Sequence, residues 1–264
     1  MKNTLTPAFF FLMISFVFGL QSCKKEKKTE LENLSKTEIQ KPNDSIKSVS
    51  VMKSEKAIQY TITVEKIDSL QYHSVKKKTV PKKKNLLKIT DINEAKKMLK
   101  GIVEFDEKTP EYPLVTKINF RNGKNSKEKL YHEFEECTFK AYFPSEDILL
   151  CEGGHTIDIS FNLKNGKETE ETGNPDVFVF SPKENFRLNG NFGGQQCSSY
   201  FIQKRINNEY VKVIQLDEEF EKLTKIWLCV IGDSFWADEK TLFLTEDSNF
   251  GVNTKFFKVK IVEK

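Results

Sequence analysis

Short segments in which apolar and polar residues alternate recur from residue 58 to the C terminus, and they constrain the fold more than any other feature. The clearest covers residues 155–163, where Ile157, Ile159, Phe161 and Leu163 alternate with polar residues. A period of two is typical of a strand with one buried face. Similar runs lie at 58–64, 118–120, 186–192, 200–206, 210–216 and 257–261.

The segments between these runs carry turn signals. Asn122-Gly123, Asn165-Gly166 and Asn207-Asn208 are dipeptides that favour two-residue hairpins. About ten short strands joined in this way predict a mainly β chain folded as an antiparallel β-sandwich, with a β-barrel as the alternative. A barrel could carry an apolar ligand in an interior lined by some of the 22 Phe residues.

Two segments, 177–180 and 226–231, are apolar throughout, which predicts strands in the middle of sheets with both faces covered. In contrast, Lys258 and Lys260 would suit an edge strand at 257–261. Short helices are predicted at 92–100, with Thr90 or Asp91 as the N-cap and Gly101 after the last turn, and at 217–223.

Charge divides the chain. Residues 24–88 contain 17 Lys and 8 acidic residues, a net charge of +9, whereas residues 89–264 have a net charge of −6. Lysine blocks at 76–78 and 82–84 repel themselves and stay solvated, as linkers do. We therefore expect a flexible tether at 23–56, a partly ordered linker with one strand at 57–88, and the β-sandwich domain at 89–264.

The N terminus has the features of an export signal. Lys2 precedes the apolar run 9–18, which is about half the length of roughly 20 residues that spanning a bilayer requires. Leu20-Gln21-Ser22-Cys23 follows and resembles the lipobox of bacterial lipoproteins. The resemblance implies that residues 1–22 are removed and that Cys23 is lipidated and becomes the first residue of the mature protein.

Several acyl chains on one cysteine hold a protein stably in a membrane. The lysines after Cys23 could contact anionic headgroups, and their charge favours the periplasmic face, most simply of an outer membrane. Ser45 and Ser69 each follow Asp and precede an apolar residue, which is similar to the acceptor of a periplasmic O-glycosylation system in some Gram-negative bacteria. An exported chain of this kind is not expected to bind nucleic acid.

Cys23 apart, four cysteines remain, and an oxidising compartment permits two disulfides. The expected pairs are Cys137 with Cys151, on neighbouring candidate strands, and Cys197 with Cys229. Some of these residues could equally be buried thiols.

Motifs for chemistry are incomplete. Gly232-Asp233-Ser234 resembles the nucleophile block of the GDSL esterases, but no His follows Ser234 to act as its base. His132-Glu133 lacks the second His that a helical zinc motif needs four residues later, and position 136 is Glu. We expect no cofactor, no metal and no catalytic residues, and we lean against an enzyme.

Trp236, followed by Asp238 and Glu239, is the candidate ligand contact, because a ring beside carboxylates can stack on a sugar and bind its hydroxyls. The alternative is that Trp236 caps the core. We expect a lipid-anchored cell-envelope protein that binds or scaffolds a glycan, a cell-wall strand or an envelope protein. The other possibilities are an envelope hydrolase that uses Asp233, Asp238 and Glu239, and the carrier of an apolar ligand.

Overall fold

A computed structural model describes residues 58–79, 84–106, 113–126, 137–195, 197–247 and 253–264. Most of the regular structure is antiparallel sheet, and the centre is a sandwich of two four-stranded sheets. The first sheet has the order β1 (Tyr60–Ile67), β13 (Lys255–Glu263), β12 (Thr241–Glu246), β11 (Ile231–Trp236). The second has the order β10 (Glu209–Gln215), β9 (Ser198–Ile206), β8 (Phe186–Phe192), β7 (Val179–Phe180).

The sandwich core follows from alternation in the strands. Phe186 and Leu188 of β8 pack toward the same core as Leu242 and Leu244 of β12. Helix α4 (Leu216–Thr224) adds Phe220, whose ring meets that of Phe257 at 4.8 Å. The prediction of a β-sandwich is confirmed, and no sheet closes into a barrel within the described parts of the chain.

A further layer covers the outer face of β8 and β9. It contains β4 (Thr138–Phe143), β5 (Ile148–Glu152) and β6 (Asp158–Asn162) in one sheet. A second apolar core lies on the face of this sheet that points away from β8 and β9. It is completed by the small sheet of β2 (Val103–Phe105) and β3 (Val115–Ile118) and by helix α2 (Ile92–Met98). Helix α3 (Thr169–Thr172) lies between β6 and β8.

The folded part begins earlier than expected. β1 pairs along its whole length with β13, and helix α1 (Ser69–Lys78) follows it directly. Tyr72 of α1 is fully buried against the rings of Phe235 and Phe256. Residues 60–78 therefore belong to the folded domain, whereas the sequence placed its start at residue 89. The one strand expected within 57–88 is β1, which is the edge strand of the first sheet.

Helices and hairpins largely match the sequence. Asp91 caps α2 by accepting a hydrogen bond from the Glu94 backbone N at 2.8 Å, and Gly101 takes a left-handed φ of 78°. The turn between β9 and β10 places Asn207 and Asn208 in the left-handed region, as the hairpin signal requires.

Three strand predictions need correction. β13 lies between β1 and β12 and is not an edge, and Lys258 on it pairs with Glu65 at 3.0 Å. The 177–180 strand shrinks to the two residues of β7, because a 3₁₀ turn occupies Pro175–Val177. The 155–163 strand begins at Asp158, because His155 and Thr156 have left-handed φ angles that end the extended backbone.

The 226–231 segment is the largest departure. Only Ile231 belongs to a strand, and the side chain of Trp227 is 62% exposed. Lys225 has a left-handed φ of 59° that ends α4, and Cys229 is tied to Cys197 by a disulfide. These two constraints hold the segment in an irregular path although it is apolar throughout.

Candidate functional site

Trp236 is a core residue. Its side chain is 3% exposed, stacks on Phe186 and donates a hydrogen bond from Nε1 to the Val179 carbonyl at 2.9 Å. Strand β11 extends to this residue and turns it toward the sandwich interior, so Trp236 cannot stack on a ligand at the surface. The alternative given above, that it caps the core, describes its position.

Glu239 and Asp238 stabilise turns. The Glu239 carboxylate accepts hydrogen bonds from Ser181 Oγ at 2.6 Å and from the backbone N of Lys183 and Asn185, both at 2.9 Å. Burial acts to raise the pKa of Glu239, but these hydrogen bonds outweigh it and the pKa is lowered. Asp238 accepts from the backbone N of Lys240 at 2.9 Å.

Asp233 is held elsewhere, beneath helix α1. Its Oδ2 accepts hydrogen bonds from Tyr72 Oη at 2.7 Å and from Lys76 Nζ at 2.5 Å. The pKa of Asp233 is lowered, because these bonds outweigh the effect of burial, and the pKa of Tyr72 is raised, mainly by its own burial. Asp233, Asp238 and Glu239 thus have separate structural partners, and the hydrolase alternative loses the convergent carboxylates it needs.

Of the two expected disulfides, one forms. Cys197 and Cys229 are bonded, whereas Cys137 and Cys151 are free and buried. Phe139 lies opposite Cys151, so Cys137, two residues earlier, is its diagonal neighbour. Diagonal neighbours are typically about 7–8 Å apart, farther than the Cα spacing of most disulfides. Burial raises the pKa of the Cys151 thiol well above its usual value, which keeps the thiol protonated.

Several predicted sites lie outside the described residues: Cys23, Ser45 and His132. Ser69 is described and is exposed at the first position of α1. In the described parts of the chain, no three His, Cys, Asp or Glu side chains come together in a way that could hold a metal ion. No described helix has the length and apolar character needed to cross a bilayer.

The most unusual feature of the structure is a buried polar layer between β6 and the outer face of β8 and β9. We call it the polar seam, and it contains the side chains of Asp158, Ser160, Asn174, Arg187, Asn189 and Gln203, all less than 9% exposed. Buried polar groups are costly unless they are hydrogen-bonded, and fully bonded networks are rigid. Ser160 Oγ has no hydrogen-bond partner among the described residues, whereas the other side chains of the seam are hydrogen-bonded. The seam lies between two apolar cores.

Hydrogen bonds run through the seam from strand to strand. Asn189 Nδ2 donates to the Thr172 carbonyl at 2.7 Å and to Gln203 Oε1 at 2.9 Å. Gln203 Nε2 donates to the Glu171 carbonyl at 2.6 Å, which ties β9 to helix α3. At the opposite end, Asp158 Oδ2 accepts from Asn174 Nδ2 and from the Phe192 backbone N, both at 2.9 Å.

Arg187 is the anchor of the seam. Its guanidinium lies 3.7 Å from the ring centroid of Phe178 and 3.9 Å from that of Tyr210, so it is held between two aromatic faces. Nε donates to Gln203 at 2.6 Å and Nη1 to Glu146 at 2.8 Å. Burial lowers the pKa of Arg187 and Glu146 opposes this, while arginine remains charged at any physiological pH.

A cleft opens at each end of the seam. The Arg187 cleft has a volume of about 190 Å³, and its lining includes Arg187, Gln203, Asn162, Asn165 and Tyr210. Burial raises the pKa of Tyr210 to about 12, so this phenol stays protonated, and it donates to the Glu184 carbonyl at 2.7 Å. The Asp158 cleft, of about 330 Å³, has Lys140, Asp158, Val177, Phe192 and Tyr200 in its lining.

This arrangement can bind a ligand through many directed hydrogen bonds. Arg187 and the asparagines in the lining present polar groups to the Arg187 cleft, and Arg187 is held in place before a ligand arrives. Gln203 is 1% exposed and uses its amide to hold Arg187, Asn189 and the Glu171 carbonyl. Sequence reasoning missed these residues because Arg187 and Asn189 occupy the polar positions of an alternating strand, which look solvent-facing. One signal in the sequence could have indicated a buried network. The polar face of β8 and β9 combines the neutral amides Asn189 and Gln203 with a single arginine, Arg187.

Comparison with protein-family models, with characterised proteins and with solved structures finds no match to this chain.

Proposed function

We propose that this chain is a lipid-anchored, non-catalytic binding protein of a bacterial cell envelope, and that the Arg187 cleft is where it holds its ligand. The observation that carries the binding role is the locked guanidinium of Arg187, with two ring contacts and hydrogen bonds to Gln203 and Glu146. A charged group this deeply buried is expensive to keep. Arg187 lies on the lining of an open cleft, where a fixed positive charge can contribute to ligand recognition.

The envelope location rests on the lipobox at Leu20-Gln21-Ser22-Cys23 and on the basic residues that follow it. The Cys197–Cys229 disulfide supports it, because disulfides persist in oxidising compartments and are rare in the cytosol. Outer-membrane anchoring at the periplasmic face stays our proposal for the site of attachment.

The packed interior argues against the carrier alternative. Phe186, Phe220 and Phe257, which could have lined a ligand chamber, are each no more than 2% exposed and pack against other core side chains. A ligand site at the surface, at the end of the seam, fits the filled sandwich better than one inside it.

Position-specific photocrosslinking in living cells tests the binding role. A photoreactive amino acid replaces Asn165, which lines the cleft, and in a matched control it replaces Leu223, which is 54% exposed and lies outside the cleft lining. We expect an adduct with an envelope component from position 165 and not from position 223. The proposal fails if position 165 gives no adduct, or if both positions give the same adducts.

A further inference from the structure

The lining of the Arg187 cleft is polar to an unusual degree. Among the described residues that line it, Ile148 and Tyr210 are the large apolar or aromatic side chains, and Ile148 is 1% exposed. Sites for lipids and other largely apolar ligands are lined mainly by hydrophobic and aromatic side chains, of which this lining holds few. A ligand that is itself covered with hydroxyl and amide groups suits this lining, and sugars are the envelope molecules with that chemistry.

The size of the cleft sets a limit on the part of the ligand that enters it. A volume of about 190 Å³ holds roughly six waters, at about 30 Å³ each in the liquid. This space is comparable with one sugar ring. Longer chains would leave the cleft for solvent on either side.

Charge in the cleft favours an acidic sugar. The described residues of its lining include five cations, Lys84, Lys164, Lys167, Arg187 and Arg205, and four carboxylates, Glu146, Glu171, Glu184 and Glu209. Three of the carboxylates are already paired, Glu146 with Arg187 at 2.8 Å, Glu171 with Lys167 at 2.6 Å and Glu184 with Lys84 at 3.4 Å.

Lys164 and Arg205 form no ion pair with any described residue. Among the four carboxylates of the lining, Glu209 likewise forms no ion pair with any described residue. Arg205 contacts the Asn208 amide oxygen at 3.3 Å. Arg187 adds a further donor, because Nη2 makes no hydrogen bond to the described part of the chain. The described lining of the cleft thus has a small excess of positive charge, with five cations against four carboxylates.

We infer that the Arg187 cleft binds a carboxylate-bearing sugar, a uronic-acid type residue of an envelope glycan, with Lys164 and Arg205 holding the carboxylate and the asparagine side chains of the lining binding the hydroxyls. This inference rests on the proposed function and narrows its ligand. The Asp158 cleft does not suit the same ligand, because its apolar side chains Val177 and Phe192 and its carboxylates Glu152 and Asp158 would meet the sugar.

The test is calorimetric titration of the full-length protein, extracted in detergent with its N terminus intact, with hexuronic acid oligosaccharides. Each oligosaccharide is paired with its methyl ester, which removes the charge and keeps the hydroxyls. We expect the acid to bind at least about tenfold more tightly than its ester, since one directed charge contact is worth about that much.

Two double variants separate the cleft from general charge. Lys164→Gln with Arg205→Gln removes both unpaired cations of the cleft, and Lys222→Gln with Lys225→Gln removes two exposed lysines outside its lining. We expect the first pair to lose at least about tenfold in affinity for the acid and little for the ester, and the second to lose less than about threefold. Thermal unfolding of each variant shows that it is folded.

The inference is overturned if acid and ester bind equally, if both double variants lose the same affinity, or if no oligosaccharide of the panel binds. In the last case, a crosslinked adduct at position 165 would still support the Arg187 cleft as a binding site and would retire the acidic sugar alone. Failure of both experiments would remove the cleft from the proposed function.

Discussion

Glu239 shows how a single carboxylate can stabilise a turn between two parts of the sandwich. Its three hydrogen bonds reach residues 181, 183 and 185, which form the connection between β7 and β8. The pKa of Glu239 is lowered in the folded protein. Its stabilising effect is therefore fully present above the unfolded pKa of about 4.3 and is lost as the pH falls through the folded pKa.

Replacing Glu239 with Gln tests this residue. We expect the free energy of unfolding at pH 7 to fall by about 1–3 kcal/mol, because the charged acceptor of three hydrogen bonds is lost. The difference from the wild type should shrink as the pH falls below the unfolded pKa of about 4.3 and through the lower folded pKa, where Glu239 itself becomes protonated in the folded protein. Urea titrations at several pH values measure it, and a difference that does not depend on pH would contradict the account.

The two tryptophans are expected to behave in opposite ways. Trp236→Ala should cost about 3–5 kcal/mol, because it leaves a cavity in the core. Trp227→Ala should change stability by less than about 0.5 kcal/mol, because its side chain is 62% exposed. Acrylamide should quench the fluorescence of a Trp236→Phe variant, which retains Trp227, much more than that of Trp227→Phe. Equal quenching would show that one of the two positions is wrongly assigned.

The sequence predicted burial of Trp227, and for Trp236 it left both a surface contact and a core position open. Trp227 lies in a run that is apolar throughout, whereas Phe235-Trp236-Ala237 lies between the polar residues Asp233-Ser234 and Asp238-Glu239, so local composition favours burial of Trp227. The left-handed Lys225 and the Cys229 disulfide break the strand at Trp227, while pairing of β11 with β12 carries Trp236 into the core. Of these constraints, the disulfide depends on a partner 32 residues away, so the residues around Trp227 do not reveal it.

At the scale of elements, the disulfide is the strongest local restraint on the 226–231 segment. Cys197 and Cys229 are 32 residues apart, and the loop-entropy account gives about 3–4 kcal/mol for a loop of this length. The double variant Cys197→Ala with Cys229→Ala should lose about that much free energy of unfolding. A reducing agent should destabilise the wild type and leave the double variant unchanged. A wild type insensitive to the reductant would contradict the bond.

The strands could be predicted from the sequence more fully than the layer of residues that covers the outer face of β8 and β9. The alternation in β8 and the Asn207-Asn208 turn are local signals, and both are confirmed. The seam was not predictable in the same way, because Arg187 and Asn189 are buried by helix α3 and by the turn that carries Glu146, which are separate in sequence. The covering layer, and with it the candidate site, becomes visible only when these elements are brought together.

On the scale of the whole molecule, the β-sandwich follows from the number of strands and turns, and it is confirmed. The early start of the domain was hidden because the lysines 76–78, at the end of α1, resemble linker. A single buried residue, Tyr72, with its bond to Asp233, docks this polar helix. The composition of a segment is an average over its residues, so it does not reveal a helix that is docked through one buried side chain.

The account of the whole molecule depends most on the attachment of Cys23 to lipid. The direct measurement is the distribution of wild-type and Cys23→Ala proteins between membrane and soluble fractions, with mass spectrometry of the mature N terminus. We expect the wild type in the membrane fraction with an acylated Cys23 as its first residue, and the variant unacylated and largely released or unprocessed. A Cys23→Ala protein that fractionates with the membrane at the same processed mass as the wild type would contradict the lipid anchor.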